Sequence, residues 1–450
     1  MPPRRPSRFS TTAARAAAWV LRWAPILPLL LAEFILWTGF GALLPIMPLY
    51  FTEHGVPIAL LGVVIAAWPA ARLFTEPLFG ALADRVARIP LMVAGLLLAA
   101  AAVGAMAVWT GPLAFILLRA LSGLGTAMYD PAARGYLTDA APANRRGEVF
   151  GLYTAAQNGG ILLGPAIGGL GAALAGGYAF VLIFGSLMTF VAAVAVAFRV
   201  REVRGTDRRP IPGIGQVEFP GGASTPQVED QPELPQAGRT AASGAGSAAG
   251  AMASPPTPTS LRNRFILAAI LVNLAGYFGG GLYETIWALF VTDRGGSVTL
   301  IGLTFATFGL TTILVSPIGG RIVDRRGPYP FLIGGLLIMA GTMVLYPLVS
   351  EPLLYIPMVA LEGVGFAFLS PATYLVIGRG TPAGRSSTAQ GLLGSAGTIG
   401  TIVAALAAGA LAATDINAPF FVGAGIILVL LVLTLVVSGR ALRSMRPMAG

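Results

Sequence analysis

Cysteine and lysine are both absent from the 450-residue chain, and His54 is its single histidine. Without cysteine there is no disulfide framework, no thiolate nucleophile and no Cys-ligated metal. One histidine cannot build a His-rich metal site, and it argues against a Ser-His-Asp hydrolase. Without lysine there can be no G-x-x-x-x-G-K-[ST] phosphate loop, which excludes ATP use through such a loop. Charge is scarce as well. Charged residues make up 11% of the chain, against about a quarter in soluble domains. What is present is apolar: 55% hydrophobic residues, 59 glycines spread through apolar runs, and a mean hydropathy of +0.78. Glycine is commoner in membrane helices than in soluble ones, so the composition is that of a membrane protein.

A helix needs about 20 predominantly apolar residues to cross the hydrocarbon core. Apolar runs between charges and Pro/Gly turns predict twelve spans: 24–50, 58–82, 89–109, 112–136, 148–174, 178–198, 265–291, 298–322, 329–349, 352–376, 388–413 and 417–439. The runs lack period-two alternation, which selects helices over a β-barrel. The expected fold class is an all-α membrane protein with six-helix bundles at 24–198 and 265–439 and tails at 1–23 and 440–450. The basic N-terminal flank is like that of a signal peptide. The apolar run behind it is too long for an h-region and lacks a small-residue cleavage site, so it is expected to stay as the first span. Residues 199–264 differ in kind. Arg199, Arg201, Arg204, Arg208 and Arg209 lead into a stretch rich in Pro, Gly, Ala and Ser, expected to be an unstructured linker.

Arginine placement sets the expected orientation. Alternate loops hold Arg85, Arg88, Arg145, Arg146, Arg325, Arg326, Arg379 and Arg385, while the opposite loops hold Arg294 beside Glu53, Asp293, Glu351 and Asp415. The basic side, with both termini and the linker, is expected to be cytoplasmic in a plasma-membrane protein. The net charge of +10 is scattered as anchors along one side, which excludes a nucleic-acid-binding face. The expected partners are the lipid bilayer and a small molecule, and the chain is expected to be a monomer without cofactor or metal.

The halves repeat at a constant shift of 240 residues. Gly80-x-x-x-Asp84-Arg85 recurs as Gly320-x-x-x-Asp324-Arg325. Gly39, Gly41, Gly62, Pro77, Gly123, Gly125, Pro131 and Pro142 map without a gap onto Gly279, Gly281, Gly302, Pro317, Gly363, Gly365, Pro371 and Pro382. A duplicated bundle keeps glycine where helices touch and proline where they bend. With six helices per half the repeats are parallel, which places a site near the midplane between them.

On these residues the chain resembles a major facilitator superfamily transporter, and more narrowly the twelve-helix drug:proton antiporter branch. The stretch GALADRVAR is similar to the superfamily's loop signature at Gly80, Asp84, Arg85 and Arg88, with Ala87 and Ile89 departing from it. The paired Pro45 and Pro48 and the Arg119-x-x-x-Gly123 spacing are similar to branch patterns. Gly151, Gly160, Gly164, Pro165, Gly168 and Gly169 fit the branch's antiporter motif at each fixed position, while the repeat has Ala404, Ala405 and Ala408 where the motif has Gly164, Pro165 and Gly168. Such a face implies helix packing that also serves gating. The resemblance further implies a latch of Gly80, Asp84, Arg85, Arg88 and Asp139, with Gly320, Asp324 and Arg325 as its repeat.

Ionisable groups inside a membrane cost about 2.5–3.5 kcal/mol each on insertion scales and so face a cavity or a partner. Glu33, Arg119, Asp130, Glu284 and Glu362 fall in spans one, four, seven and ten, which line the cavity in the resembled fold. Proton coupling is expected of the acids in the order Glu33, Glu284, then Asp130 and Glu362, with Arg119 modulating one of them. Helical spacing adds Trp37, Thr126, Asn273, Tyr277, Trp287 and Phe366 as cavity residues. For Trp37, Tyr277 and Trp287, packing is an equal alternative; Trp68 and Trp109 read as packing. Arg72 and Glu76, four apart, read as a structural ion pair, and His54 as a solvated loop residue. Acids beside aromatics suit amphipathic or cationic organic molecules. The resulting expectation is proton-driven export of such molecules by alternating access. Carriage of a metabolite, sugar or lipid-linked substrate by another mode, or a sensor without transport, are the alternatives. An enzyme is not expected.

Overall fold

The apolar runs fold as helices because each must satisfy its backbone internally in a medium without water. The computed structural model describes residues 23–443 except 25, 84, 142–145, 176, 202–259 and 383–384. Among the described residues there are no strands. Eleven helices are long and apolar enough to cross a membrane, and one bent pair makes a twelfth span. The N-terminal half contains α1 (Leu27–Leu43), α2 (Met47–Glu53), α3 (Ile58–Ala83), α4 (Arg88–Ala105), α5 (Pro112–Ala140), α6 (Arg146–Ala175) and α7 (Ala179–Arg199). The C-terminal half contains α8 (Arg264–Asp293), α9 (Val298–Arg326), α10 (Tyr329–Leu345), α11 (Tyr355–Gly380), α12 (Ser386–Ala412) and α13 (Ala418–Arg443). The protein is thus a multi-pass membrane protein. Most of the expected linker and both tails lie outside the described residues.

One expected span is broken. The 24–50 run divides into α1 and α2, bent by 48°. Pro45 in the break has no N–H to continue the ladder, and Pro48 sits in the first turn of α2, where a missing N–H costs nothing. Other starts are built from side chains. The Asn263 side chain accepts from the backbone of Phe265 and Ile266 at 3.0 and 3.1 Å and donates to the Gly380 carbonyl at 2.7 Å, tying α8 to the end of α11. His54, expected in solvent, is half-buried and stacks on Tyr50 at 4.1 Å between ring centroids.

The repeat is visible as packing. In the N-terminal half α1 packs on α6 and α7, α5 on α3 and α4, and α4 on α7; the C-terminal half repeats all five pairings with α8 to α13. The halves meet through α3 against α12 and α6 against α9. A Cβ on Gly62 would lie 2.1 Å from the Ala405 carbonyl oxygen, and one on Gly302 would lie 2.7 Å from the Pro165 carbonyl oxygen. These contacts are related by the 240-residue shift, and both need glycine because backbone meets backbone. They lie toward one end of the helices, called here the His54 end after its first loop. The other is the Arg88 end.

Candidate functional site

Arg119 and Glu284, on helices of opposite halves, form an ion pair at 3.3 Å. Arg119 is buried, donates to the Ile65 carbonyl at 3.2 Å and approaches the Met47 sulfur at 3.3 Å. Losing one member of such a pair leaves a buried charge uncompensated, which costs roughly 3–5 kcal/mol. With the contacts at Gly62 and Gly302, this pair joins the halves toward the His54 end. Toward the Arg88 end, residues of the facing helices α5, α8 and α11 are half exposed: Arg134, Tyr277 and Tyr374 at 50%, 50% and 55%. A cleft opens there.

The cleft wall of the N-terminal half is a charge network. Arg72 pairs with Asp130 and, at 3.1 Å, with Glu76. Arg134 stands 3.6 Å from Glu76 and 3.9 Å from Asp130. Arg72 and Glu76 are therefore more than a local pair. Trp68, read from sequence as packing, is a correction: its ring lies 4.8 Å from the Arg72 guanidinium carbon and 5.9 Å from that of Arg119, between the two cations. Phe40 links it to Trp37, with centroids at 5.1 and 5.2 Å.

Two expected cavity acids point into their own bundles. Glu33 is fully buried and accepts from Tyr129 Oη at 2.5 Å, Gln157 Nε2 at 2.5 Å and Trp37 Nε1 at 2.8 Å. Glu362 is also buried and accepts from Thr342 Oγ1 and from Tyr283 Oη at 2.6 Å. Trp287 needs the same correction. It is 3% exposed, donates to Thr304 at 2.8 Å and packs on Tyr346, Tyr355 and Phe420, so it belongs to the core. Thr126 bonds the Gly123 carbonyl of its own helix at 3.0 Å. Asn273, Tyr277 and Phe366 are brought together, lining with Tyr374 a niche of about 50 Å³ between α8 and α11. Tyr129, Gln157, Tyr283, Thr342 and Arg134 were missed. Arg134 alone carried a signal, four residues beyond Asp130 on one helix face.

The glycine motif of α6 has two faces. A Cβ on Gly160, Gly164 or Gly168 would come within 2.1–2.6 Å of α1 backbone atoms of Phe34, Gly41 and Ala42. Pro165 and Gly169 instead face Gly302 of the opposite half, while Gly151 has nothing close. At the Arg88 end, Arg88 and Asp139 are paired at 2.6 Å. Their expected companion Asp84 lies outside the described residues. Gly80 approaches Pro131, Gly320 has open space beside it, and Arg85, Asp324 and Arg325 are exposed.

Two pseudo-symmetric six-helix halves around a cleft that is closed at one end and charged on its wall define a secondary transporter. The chain belongs to the Major Facilitator Superfamily, whose family model matches residues 29–290 and 269–445. It is similar to the Staphyloferrin B transporter of Staphylococcus aureus (strain NCTC 8325 / PS 47), at 24% identity over 408 residues covering 88% of each chain. It is also similar to the Quinolone resistance protein NorA of Staphylococcus aureus (strain MRSA252), at 29% over 136 residues covering 30% of this chain and 35% of that one. Among solved structures, a bacterial homolog of the human lysosomal transporter Spinster, inward-facing and occupied, shares the fold with TM-score 0.69 at 16% identity, covering 95% and 98% of the two chains. The peptide transporter POT in complex with sulfate does so with TM-score 0.69 at 17% identity, covering 93% and 95%.

Proposed function

We propose that the protein is a proton-coupled exporter of small amphipathic organic compounds, with the arginine-rich Arg88 end facing the cytoplasm. The observation that carries this reading is the Arg119–Glu284 pair bridging the halves at the closed end. An exchanger must not cross the membrane empty, and this pair supplies the lock. With Glu284 ionised and no substrate bound, attraction to Arg119 keeps the His54 end shut. A proton on Glu284 removes that attraction; substrate drawing the halves together at the Arg88 end opposes it. Substrate lets the halves open at the His54 end, and on the return a proton on Glu284 removes the cost of burying its charge again, so the two move in opposite directions in alternate half-cycles. The membrane potential adds about 2.3 kcal/mol per charge per 100 mV to proton movement inward.

Glu284 thereby takes first place among the coupling acids and Glu33 second, since Glu33 is held by neutral donors in an enclosed pocket. Asp130 is neutralised by Arg72, and Glu362 sits away from the cleft. The NorA-like segment and the two-faced glycine motif of α6 support export of drug-like molecules. The relative that spans most of the chain bears the name of a siderophore transporter, which favours a second reading: export of one defined metabolite by the same cycle. Dye transport in inverted vesicles tests both. Gradient-driven uptake across a panel of unrelated dyes supports the first reading. Uptake of none of them, with gradient-driven uptake of a siderophore, supports the second. Flux indifferent to the proton gradient overturns coupling in either.

A further inference from the structure

The two cleft walls can be compared position by position through the 240-residue shift. Glu33, Arg72, Glu76, Asp130 and Arg134 of the N-terminal half correspond to Asn273, Thr312, Ser316, Ser370 and Tyr374 of the C-terminal half. Each of these charged residues thus has a neutral polar or aromatic residue as its counterpart in the other half. The aromatic pair Trp37 and Tyr277 is kept on both sides. A molecule entering the cleft from the Arg88 end meets charge on one side and hydroxyl and aromatic groups on the other.

Which charge it meets follows from pairing and exposure. Glu33 is enclosed with three donors, Asp130 is buried against Arg72, Glu284 is held by Arg119, and Glu362 lies inside its own bundle. Glu76 accepts from Arg72 at 3.1 Å. Each of these acids has a cation or a hydrogen-bond donor on at least one oxygen. Arg134 is different. It is half exposed, and its distances of 3.6 and 3.9 Å to Glu76 and Asp130 exceed the 2.7–2.9 Å or so of a charge-assisted hydrogen bond. Arg72 holds Glu76 through Oε2 and Asp130 through Oδ2, which leaves Arg134 the longer ion pairs to Glu76 Oε1 and Asp130 Oδ2. The half-exposed guanidinium fork can exchange these long contacts for a planar anion in two parallel bonds.

Arg134 and Tyr374 are repeat-equivalent, so they stand at one height on opposite walls. Tyr277 lines the same niche as Tyr374. We infer that Arg134 is an anion subsite, and that the substrates carry a carboxylate or similar planar anionic group on a flat apolar body that lies against Tyr374 and Tyr277. This deepens the exporter reading and rests on it. It also reverses the preference for cations that the count of acids alone suggested.

Three naphthalene probes of one shape separate the possibilities: 2-naphthoate, neutral 2-naphthamide and 2-naphthylmethylammonium. Binding is measured by titration calorimetry on the purified full-length chain in nanodiscs, with no gradient. The expected result is 2-naphthoate at least tenfold tighter than the amide, with the ammonium weakest. R134Q should erase the difference between naphthoate and amide. R134K, which keeps the charge without the fork, should restore part of it, and Y374L should weaken both probes alike. Preference for the ammonium, equal binding of naphthoate and amide, binding of none of the three, or a naphthoate preference that survives R134Q would each overturn the subsite. If R134Q fails to fold, the R134K and Y374L pattern decides alone. Failure of the parent reading looks different. Gradient-driven export of the ammonium with no naphthoate binding sinks the subsite and leaves the exporter; intact naphthoate selectivity without proton-driven flux does the reverse.

Discussion

Gly123 of α5 packs against the Trp68 carbonyl, and Gly363 of α11 packs against the Phe308 carbonyl, each contact the image of the other after 240 residues. The same holds for Gly95 on Gly125 and Gly335 on Gly365. Yet Arg119 has Val359 as its counterpart, Glu284 has Leu44, and Glu362 has Ser122. The halves share residues that let backbones touch and differ in the charges they place within the membrane-spanning helices. At these contacts only glycine fits, so both halves keep it, whereas the α6 face of Gly164 and Gly168 has become Ala404 and Ala408 in the repeat. A cleft wall has many solutions, so each half is free to take a separate task. The N-terminal wall carries the charge network, and the C-terminal wall supplies the lock's acid and the neutral surface.

The sharpest way to break this comparison is at the contacts both halves share. Replacing Gly302 by leucine drives a side chain into the Pro165–Gly169 backbone, and overpacking of that kind costs about 1–3 kcal/mol or more. Because the clash lies between halves, gradient-driven flux should vanish while each bundle keeps its helicity by circular dichroism. Gly168→Leu, clashing with Ala42 inside one half, should instead lower the thermal midpoint of folding; equal behaviour of the two variants would remove the distinction between bundle and interface. The lock comes next. Glu284→Gln should abolish gradient-driven accumulation but keep downhill counterflow, since the halves still rock. Stability measured for Arg119→Gln, Glu284→Gln and the double variant should show coupling of roughly 1–3 kcal/mol.

Smaller effects sharpen the contrast between wall and core. Glu33→Gln keeps a hydrogen-bonding amide in the Tyr129–Gln157 pocket while removing the ionisable group. Proton release on substrate binding should fall with stability nearly unchanged, and unaltered release clears Glu33 of coupling. Trp287→Phe removes the bond to Thr304, worth about 1 kcal/mol, and keeps the aromatic packing. A small drop in thermal midpoint with unchanged substrate affinity is expected, and altered affinity would return Trp287 to the cavity.

Much of this was legible in the residues. Twelve spans follow from apolar length, the half-by-half repeat from glycine and proline spacing, and the singling out of Arg119 and Glu284 from the cost of charge in lipid, but not their pairing across the halves. Orientation about each helix axis was not legible. Glu362 and Trp287 share helices with cavity residues yet turn inward, because their hydroxyl partners, Tyr283 and Thr342 for Glu362 and Thr304 for Trp287, come from other helices. Trp68 was misjudged for the converse reason: a tryptophan looks like packing until the guanidinium groups on either side are placed. The break at Pro45 was visible as a residue pair but not as an angle.

The absence of cysteine makes the most direct test clean, since every introduced thiol is labelled alone. Spin labels at Glu53→Cys with Thr414→Cys report separation of the halves at the His54 end, and labels at Val86→Cys with Arg326→Cys report it at the Arg88 end. If the Arg119–Glu284 pair locks the carrier, adding Glu284→Gln should create a longer-distance population at the first pair and a shorter one at the second. Distance distributions that superimpose with and without Glu284→Gln at both ends would contradict the lock, and with it the coupling mechanism.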